Sequence, residues 1–295
     1  MGSMKTSLPP SFKLAAFAAA LAVVLAVSFG VARAVAPDGL ADRASDEHAG
    51  MDMSGSDEHG SSTQAAAVPG LAVADAGYRF VPEATTLASG PAQPFRFRLE
   101  GPDGRSVERY RLLHERELHL IVVRRDLTGF QHVHPVREPD GTWAVPLDLP
   151  TGGTWRAFAD FAPTGGPAQL TLGIDLQVTG SFDPGTIPTA AAAPDPRFDV
   201  RFDRRDDDIE IAVARNGMPI ETEPYLGARG HLVALRAGDL AYLHVHPEEG
   251  GAPAVRFKAE LPTPGGYAFF FDYQVDGVVH TAATSVEVTD GHGGH

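Results

Sequence analysis

The chain has 295 residues, a formal net charge of −14 and no cysteine. Its length predicts about two domains, and the missing cysteine excludes disulfides, thiolate metal sites, cysteine nucleophiles and a lipidated N-terminal cysteine. Asp and Glu are spread along the chain with no basic stripe, which excludes nucleic acid as a partner.

Residues 14–32 are an apolar run without charge, preceded by Lys5 and Lys13. At a helical rise of 1.5 Å per residue such a run spans about 28 Å, roughly one hydrocarbon core. The positive flank would stay in the cytoplasm, with the bulk of the chain outside. The run reads either as a single-pass anchor in the inner or plasma membrane within residues 1–36, or as a signal peptide cleaved at Ala32-Arg33-Ala34 or Ala34-Val35-Ala36. Both readings export the rest. Residues 37–70 lack periodicity and read as a flexible tether. The tether carries His48, Met51, Met53 and His59, a composition that suits metal capture or a plain spacer.

From Tyr78 onward, short β runs alternate with turn residues, and no stretch keeps a helical period. FRFRL, LHLIVV, FQHVH, TWAVPL, WRAFADF and LTLGIDLQV lie in residues 71–180. Residues 181–197, rich in Pro and Ala, read as a linker. IEIAVA, a hairpin turn at Asn216-Gly217, HLVAL, YLHVH, YAFFFDY and TSVEV fill residues 198–289. Residues 290–295 form a tail carrying His292 and His295. The fold class expected is all-β: two tandem antiparallel sandwiches, Ig-like or cupredoxin-like, behind an N-terminal transmembrane helix.

The two segments are copies. His119 is followed after 13 and 15 residues by His132 and His134 of an HVHP tetrapeptide, and His231 is followed in the same way by His244 and His246. The offset of 112 residues holds without a gap to Asp160 and Asp272. Along it Leu149-Pro150-Thr151 answers Leu261-Pro262-Thr263, and Trp155 answers Tyr267. Strand geometry puts His132 and His134 on one face, with Val133 on the other. Pairing His119 opposite His134, and Ile121 opposite His132, would gather three imidazoles close enough for one ion. The equivalent set is His231, His244 and His246. His280 is a further candidate ligand of the second set, and Asp160 and Asp272 are candidates to fix an imidazole tautomer. The competing reading is architectural: an H-x-H pair packed in a strand, with carboxylates satisfying backbone amides.

HLIVV…FQHVHP and HLVAL…YLHVHP, with the apolar N-terminal run and the His/Met tether, resemble a group of bacterial exported proteins described as heavy-metal-binding or copper-associated. The resemblance implies sandwich domains with H-x-H-P strands and an extracytoplasmic copper-handling role. It departs from blue-copper proteins, since no cysteine can hold the metal. The function expected is sequestration or relay of copper, with zinc as the alternative ion. The rival is a non-enzymatic tandem Ig-like module that docks a membrane protein and uses its histidines structurally or as a pH sensor. An enzyme ranks last, because no Glu has a repeated place beside the histidines to serve as a base.

Overall fold

A computed structural model describes residues 68–289, except Pro188, Pro194, His244, Glu249 and the side chain of His246. The apolar run at 14–32, the tether residues His48, Met51, Met53 and His59, and His292 and His295 lie outside the described residues. Among the described residues the regular elements are all strands, and no helix is long and apolar enough to cross a membrane.

The first repeat comprises β1 (Ala74–Asp75), β2 (Tyr78–Pro82), β3 (Thr86–Ala88), β4 (Gly90–Glu100), β5 (Tyr110–Arg111), β6 (Leu118–Arg124), β7 (Gln131–Val133), β8 (Val136–Arg137), β9 (Trp143–Leu149), β10 (Gly153–Pro163) and β11 (Leu170–Thr179). The second comprises β12 (Phe198–Arg205), β13 (Asp208–Arg215), β14 (Met218–Ile220), β15 (His231–Arg236), β16 (Tyr242–Leu243), β17 (Val245–Glu248), β18 (Val255–Ala259), β19 (Gly265–Val275) and β20 (Val278–Val288). Each repeat is two packed sheets. The first has the orders β1-β2-β4-β9-β8 and β3-β11-β10-β6-β7, with β5 beside β10. The second has β12-β13-β18-β17, with β14 beside β13, and β16-β15-β19-β20. Strand pairing is antiparallel except between β3 and β11.

Several recurring residues prove architectural. The Arg124 guanidinium donates to Thr151 Oγ1, and its equivalent Arg236 donates to Thr263 Oγ1 at 3.1 Å. Trp155 Nε1 donates to the Thr151 carbonyl at 3.2 Å, and the Tyr267 hydroxyl donates to the Thr263 carbonyl at 2.6 Å. The repeated Leu-Pro-Thr therefore clasps the end of the central strands in both copies. The turn at Asn216-Gly217 has φ of 51° and 77°, the left-handed pair that joins two strands in their natural twist.

A half-buried strand alternates polar and apolar residues, yet β6, β10, β15 and β19 are almost continuously buried. Both of their faces are covered. Leu118, Leu120 and Val122 point into the first sandwich core with Trp155, Ala157 and Phe161. Ile121, Val123 and Phe158 point the other way and join Val233, Leu235, Leu240, Tyr242, Ala268 and Phe270 in a third apolar core. That core lies between the repeats and is roughly two-fold symmetric, Val233 answering Ile121, Leu235 Val123 and Phe270 Phe158. Phe130 stacks on Phe270 with ring centroids 4.1 Å apart; their equivalents, Tyr242 and Phe158, meet at 5.6 Å. The linker is held down as well as joining the repeats. Ile187 packs on this third core, Gly185 N–H donates to Asp126 at 2.9 Å, and Ala192 bridges Ala283.

Docking of this kind makes an outer-face position behave as a core position. Phe270→Ala should cost about 3–5 kcal/mol, the usual loss for a buried Phe, read as a fall in the urea midpoint. A cost near zero would show that the repeats do not pack on each other in solution.

Candidate metal centre

The hairpin β6–β7 has the register Leu120↔Val133, Ile121↔His132 and Val122↔Gln131, the one expected from the sequence. Its equivalent pairs Ala234↔Leu243 and Leu235↔Tyr242. The register places His119 and His132 on the same face as Ile121, which is the face turned toward the other repeat. The histidines therefore lie at the rim of the third core.

His119, His132 and His134 converge, with one ring nitrogen of each lying within 4.8 Å of the others. His119 Nδ1 is 2.9 Å from His132 Nε2 and 3.2 Å from His134 Nε2. The outer partners fix the tautomers. His119 Nε2–H donates to the Leu113 carbonyl at 2.8 Å, which leaves Nδ1 as a lone pair. His132 Nδ1 faces Asp272 Oδ2 at 2.7 Å, with both side chains almost wholly buried. A hydrogen on that nitrogen leaves Nε2 as the second lone pair. Two lone pairs facing each other at 2.9 Å need a cation between them, either a proton or a metal ion.

Burial pushes His119 down to about 2, with the neighbouring His132 adding to the effect. Burial also lowers His134 to about 4, His132 again contributing. These imidazoles are therefore held in the neutral form that ligates metal. Asp272 is fixed in turn by the Thr281 hydroxyl at 2.6 Å.

The carboxylate that orients His132 comes from the other repeat. His231 also reaches this place: its ring is 6.3 Å from that of His132. Its Nε2–H donates to the Tyr225 carbonyl at 2.8 Å, repeating the His119–Leu113 contact at the equivalent position. Burial lowers His231 to about 4. A cavity of about 160 Å³ lies between the repeats, lined by His114, His119, His132, Asp160, His231 and Tyr242 among others. His134 instead borders an open groove with Arg116, Arg137 and Trp143.

The sequence-predicted residues divide accordingly. His119, His132, His134, His231 and Asp272 are brought together. Asp160 lines the same cavity but accepts hydrogen bonds from Gln169 and Thr171, and its carboxyl is pushed up to about 6 by burial. His280 does not reach the site. It pairs with Tyr273 across β19–β20, stacks on that ring at 5.4 Å and lies 4.8 Å from Phe198. The one-residue step from Asp272 to Tyr273 sends it to the inner face, so it is not a fourth ligand. His244 is outside the described residues; the backbone of His246 lies in β17 opposite Lys258. His114, read from the sequence as an ordinary surface or core histidine, also stands at the site. Its ring is 6.2 Å from His119 and 5.0 Å from His231. It sits in a tight turn closed by Leu113 and Arg116, where His114 and Glu115 have φ of 44° and 64°. That conformation is uncommon outside Gly, Asn, Asp and His, so Glu115 is the more unusual of the two. With Leu226 as its counterpart it carried no repeat signal.

A family profile described as a domain of unknown function (DUF8832) matches residues 72–179 and again residues 200–290. No curated protein matches the chain. Among solved structures, it is similar to the BSP domain of a biofilm-associated protein, at 14% identity over 72% of this chain and 30% of that one, with a TM-score of 0.21. It is also similar to the Escherichia coli adhesin FdeC, at 11% identity over 74% of this chain and 66% of that one, with a TM-score of 0.26. A third is the tandem Ig repeats of Dlar, at 8% identity over 72% and 97% of the two chains and a TM-score of 0.20. The chain thus spans less than two thirds of the first two. The profile matches fall one on each repeat and together cover more than half of the residues, so the chain belongs to the DUF8832 family.

Proposed function

We propose that the junction of the two repeats binds a transition-metal ion through His119 Nδ1, His132 Nε2 and His134 Nε2, and that the protein sequesters or relays that ion outside the cytoplasm. The observation that carries the reading is the convergence of these nitrogens, with the far sides of His119 and His132 already committed to the Leu113 carbonyl and Asp272. Metal–nitrogen bonds of 2.0–2.1 Å at tetrahedral angles set ligand nitrogens about 3.3 Å apart. The separations of 2.9 and 3.2 Å lie just inside that value. An all-imidazole set suits copper, with zinc as the alternative. His134, half-buried on the wall of the open groove, gives the ion a route in and out. The equivalent set of His231, His244 and His246 enters this reading through the repeat and through His231 alone. Export, by an anchor or a cleaved leader, enters through the apolar run at 14–32.

A second reading, a docking module, has its own observation. Leu112 and Val136 are 66% and 70% exposed, and both line the groove beside His134. An exported partner could seat there, a membrane protein among the candidates.

Metal titration of the full chain separates the two. His132→Ala with His134→Ala should remove one tight equivalent of copper or zinc. It should also abolish the matching thermal stabilisation, about 2.7 kcal/mol at a hundredfold excess over Kd. Unchanged capacity and melting would make the histidines architectural and leave the docking module standing. Asp272→Asn should weaken binding about 10–100-fold, as loss of an orienting carboxylate does. An unaltered Kd would remove Asp272 from the site.

Acid should also destabilise the metal-free protein. Unfolded imidazoles take up protons near pH 6.5, whereas folded His231 does so near 4 and His119 near 2. Between those values the unfolded state binds more protons, so stability falls as pH falls. The slope is about 1.4 kcal/mol per pH unit for each of His119 and His231. Asp160 acts in the opposite sense between about 6 and its ordinary 3.8, where the folded carboxyl holds the extra proton. The net effect should be a urea midpoint that declines from pH 6.5 toward 4; a flat profile would contradict buried neutral imidazoles.

A further inference from the structure

Three imidazoles do not complete the coordination of copper or zinc, and among the described residues no fourth His or carboxylate joins the group that converges within 4.8 Å. Asp272 touches His132 at the ring nitrogen facing away from the centre. His231 is the next imidazole, yet its Nε2 is tied to Tyr225 and its ring stands 6.3 Å from His132. What does adjoin the ligands is the cavity of about 160 Å³, lined by His119 and His132 on one side and by His231 and Tyr242 on the other. A polar cavity of that size holds several waters.

We infer, on the footing of the metal-binding reading, that the bound ion keeps an exchangeable coordination position opening into the cavity between the repeats. That position takes a small lone-pair donor from solution, water or a monoanion of a few atoms. The walls set the size limit. Val233, Leu232 and Phe257 close part of the cavity with apolar surface, and His114, Asp160, Gln169 and His231 supply polar groups around the rest. The position makes the site a binding centre for a small molecule as well as for the ion. Three protein ligands plus one open position is the arrangement that separates reactive metal sites from closed structural ones.

The test uses the full chain loaded with one equivalent of cobalt(II), whose visible absorption reports its ligands, followed by titration with azide. The expected result is a saturable spectral shift fitting a single azide per cobalt, with the metal retained after desalting. In His231→Gln, which can still donate to the Tyr225 carbonyl, the cobalt spectrum before azide reports whether this imidazole ligates. An azide-silent spectrum would mean a closed site and overturn the inference, leaving metal binding intact. A parent spectrum already altered in His231→Gln before azide is added would make His231 the fourth ligand and overturn it likewise. An undiminished cobalt spectrum in the His132→Ala, His134→Ala double variant would place the ion elsewhere and overturn the metal-binding reading with it.

Discussion

Among the described residues, β6, β10, β15 and β19 are buried on both faces along most of their length, and the rest of the chemistry follows from that constraint. In an isolated sandwich the outer faces of β6, β10, β15 and β19 would be wet, and their residues would be polar. Here Ile121, Val123 and Phe158 meet Val233, Leu235 and Phe270 in a core of their own. Removing that much apolar surface from water is worth about 1.5–3 kcal/mol for each large side chain. The stacked pair Phe130–Phe270 and its equivalent Tyr242–Phe158 fix the docking geometry. Polar groups at the rim of such a core lose water without losing their need for partners. The histidines stand at that rim. Desolvation keeps His119, His134 and His231 neutral, and a neutral imidazole with one nitrogen engaged presents a single lone pair at the other.

The repeat separates scaffold from site. Contacts that recur in both copies are scaffold: the Arg–Thr clasp, the Trp155 and Tyr267 bonds to the Leu-Pro-Thr carbonyls, and the His119–Leu113 and His231–Tyr225 bonds. The His-to-carbonyl bond is scaffold with a chemical consequence, because it chooses which nitrogen is left free. Asp272 belongs to a different class of contact. It comes from the second repeat, so His132 is held by a group that is present only when the repeats are docked.

Much of this was legible in the sequence. The repeat offset predicts two copies of one fold, and the H-x-H period predicts the face and the hairpin register found in β6–β7. The unbroken run in LHLIVV marks a buried strand. It does not say that one face belongs to the sandwich and the other to a neighbour, because periodicity vanishes whenever both faces are dry. For that reason the sequence sets the candidate ligands inside each copy and does not show that Asp272 of the second repeat reaches His132 of the first. His280 misled because its distance along the strand looks right while its parity is wrong. His114 read as an ordinary histidine because the second repeat has no histidine in its place, and its position depends on a left-handed turn that it shares with Glu115.

The symmetry of the scaffold and the asymmetry of the cavity point the same way. The two-fold core is nearly blind to which copy is which, since Phe130 and Tyr242, or Phe158 and Phe270, do equivalent packing. The polar lining is not blind. His114 faces Leu226 as its counterpart, and Glu115 faces Gly227, so the strained turn carries an imidazole and a carboxylate in one copy only. Strain in a turn persists where the surrounding structure holds it, and here it sets the His114 ring beside both His119 and His231. The duplicated fold supplies a dry, symmetric interface, and single-copy residues make one side of it chemically distinct. The centre is therefore a property of the docked pair rather than of either repeat.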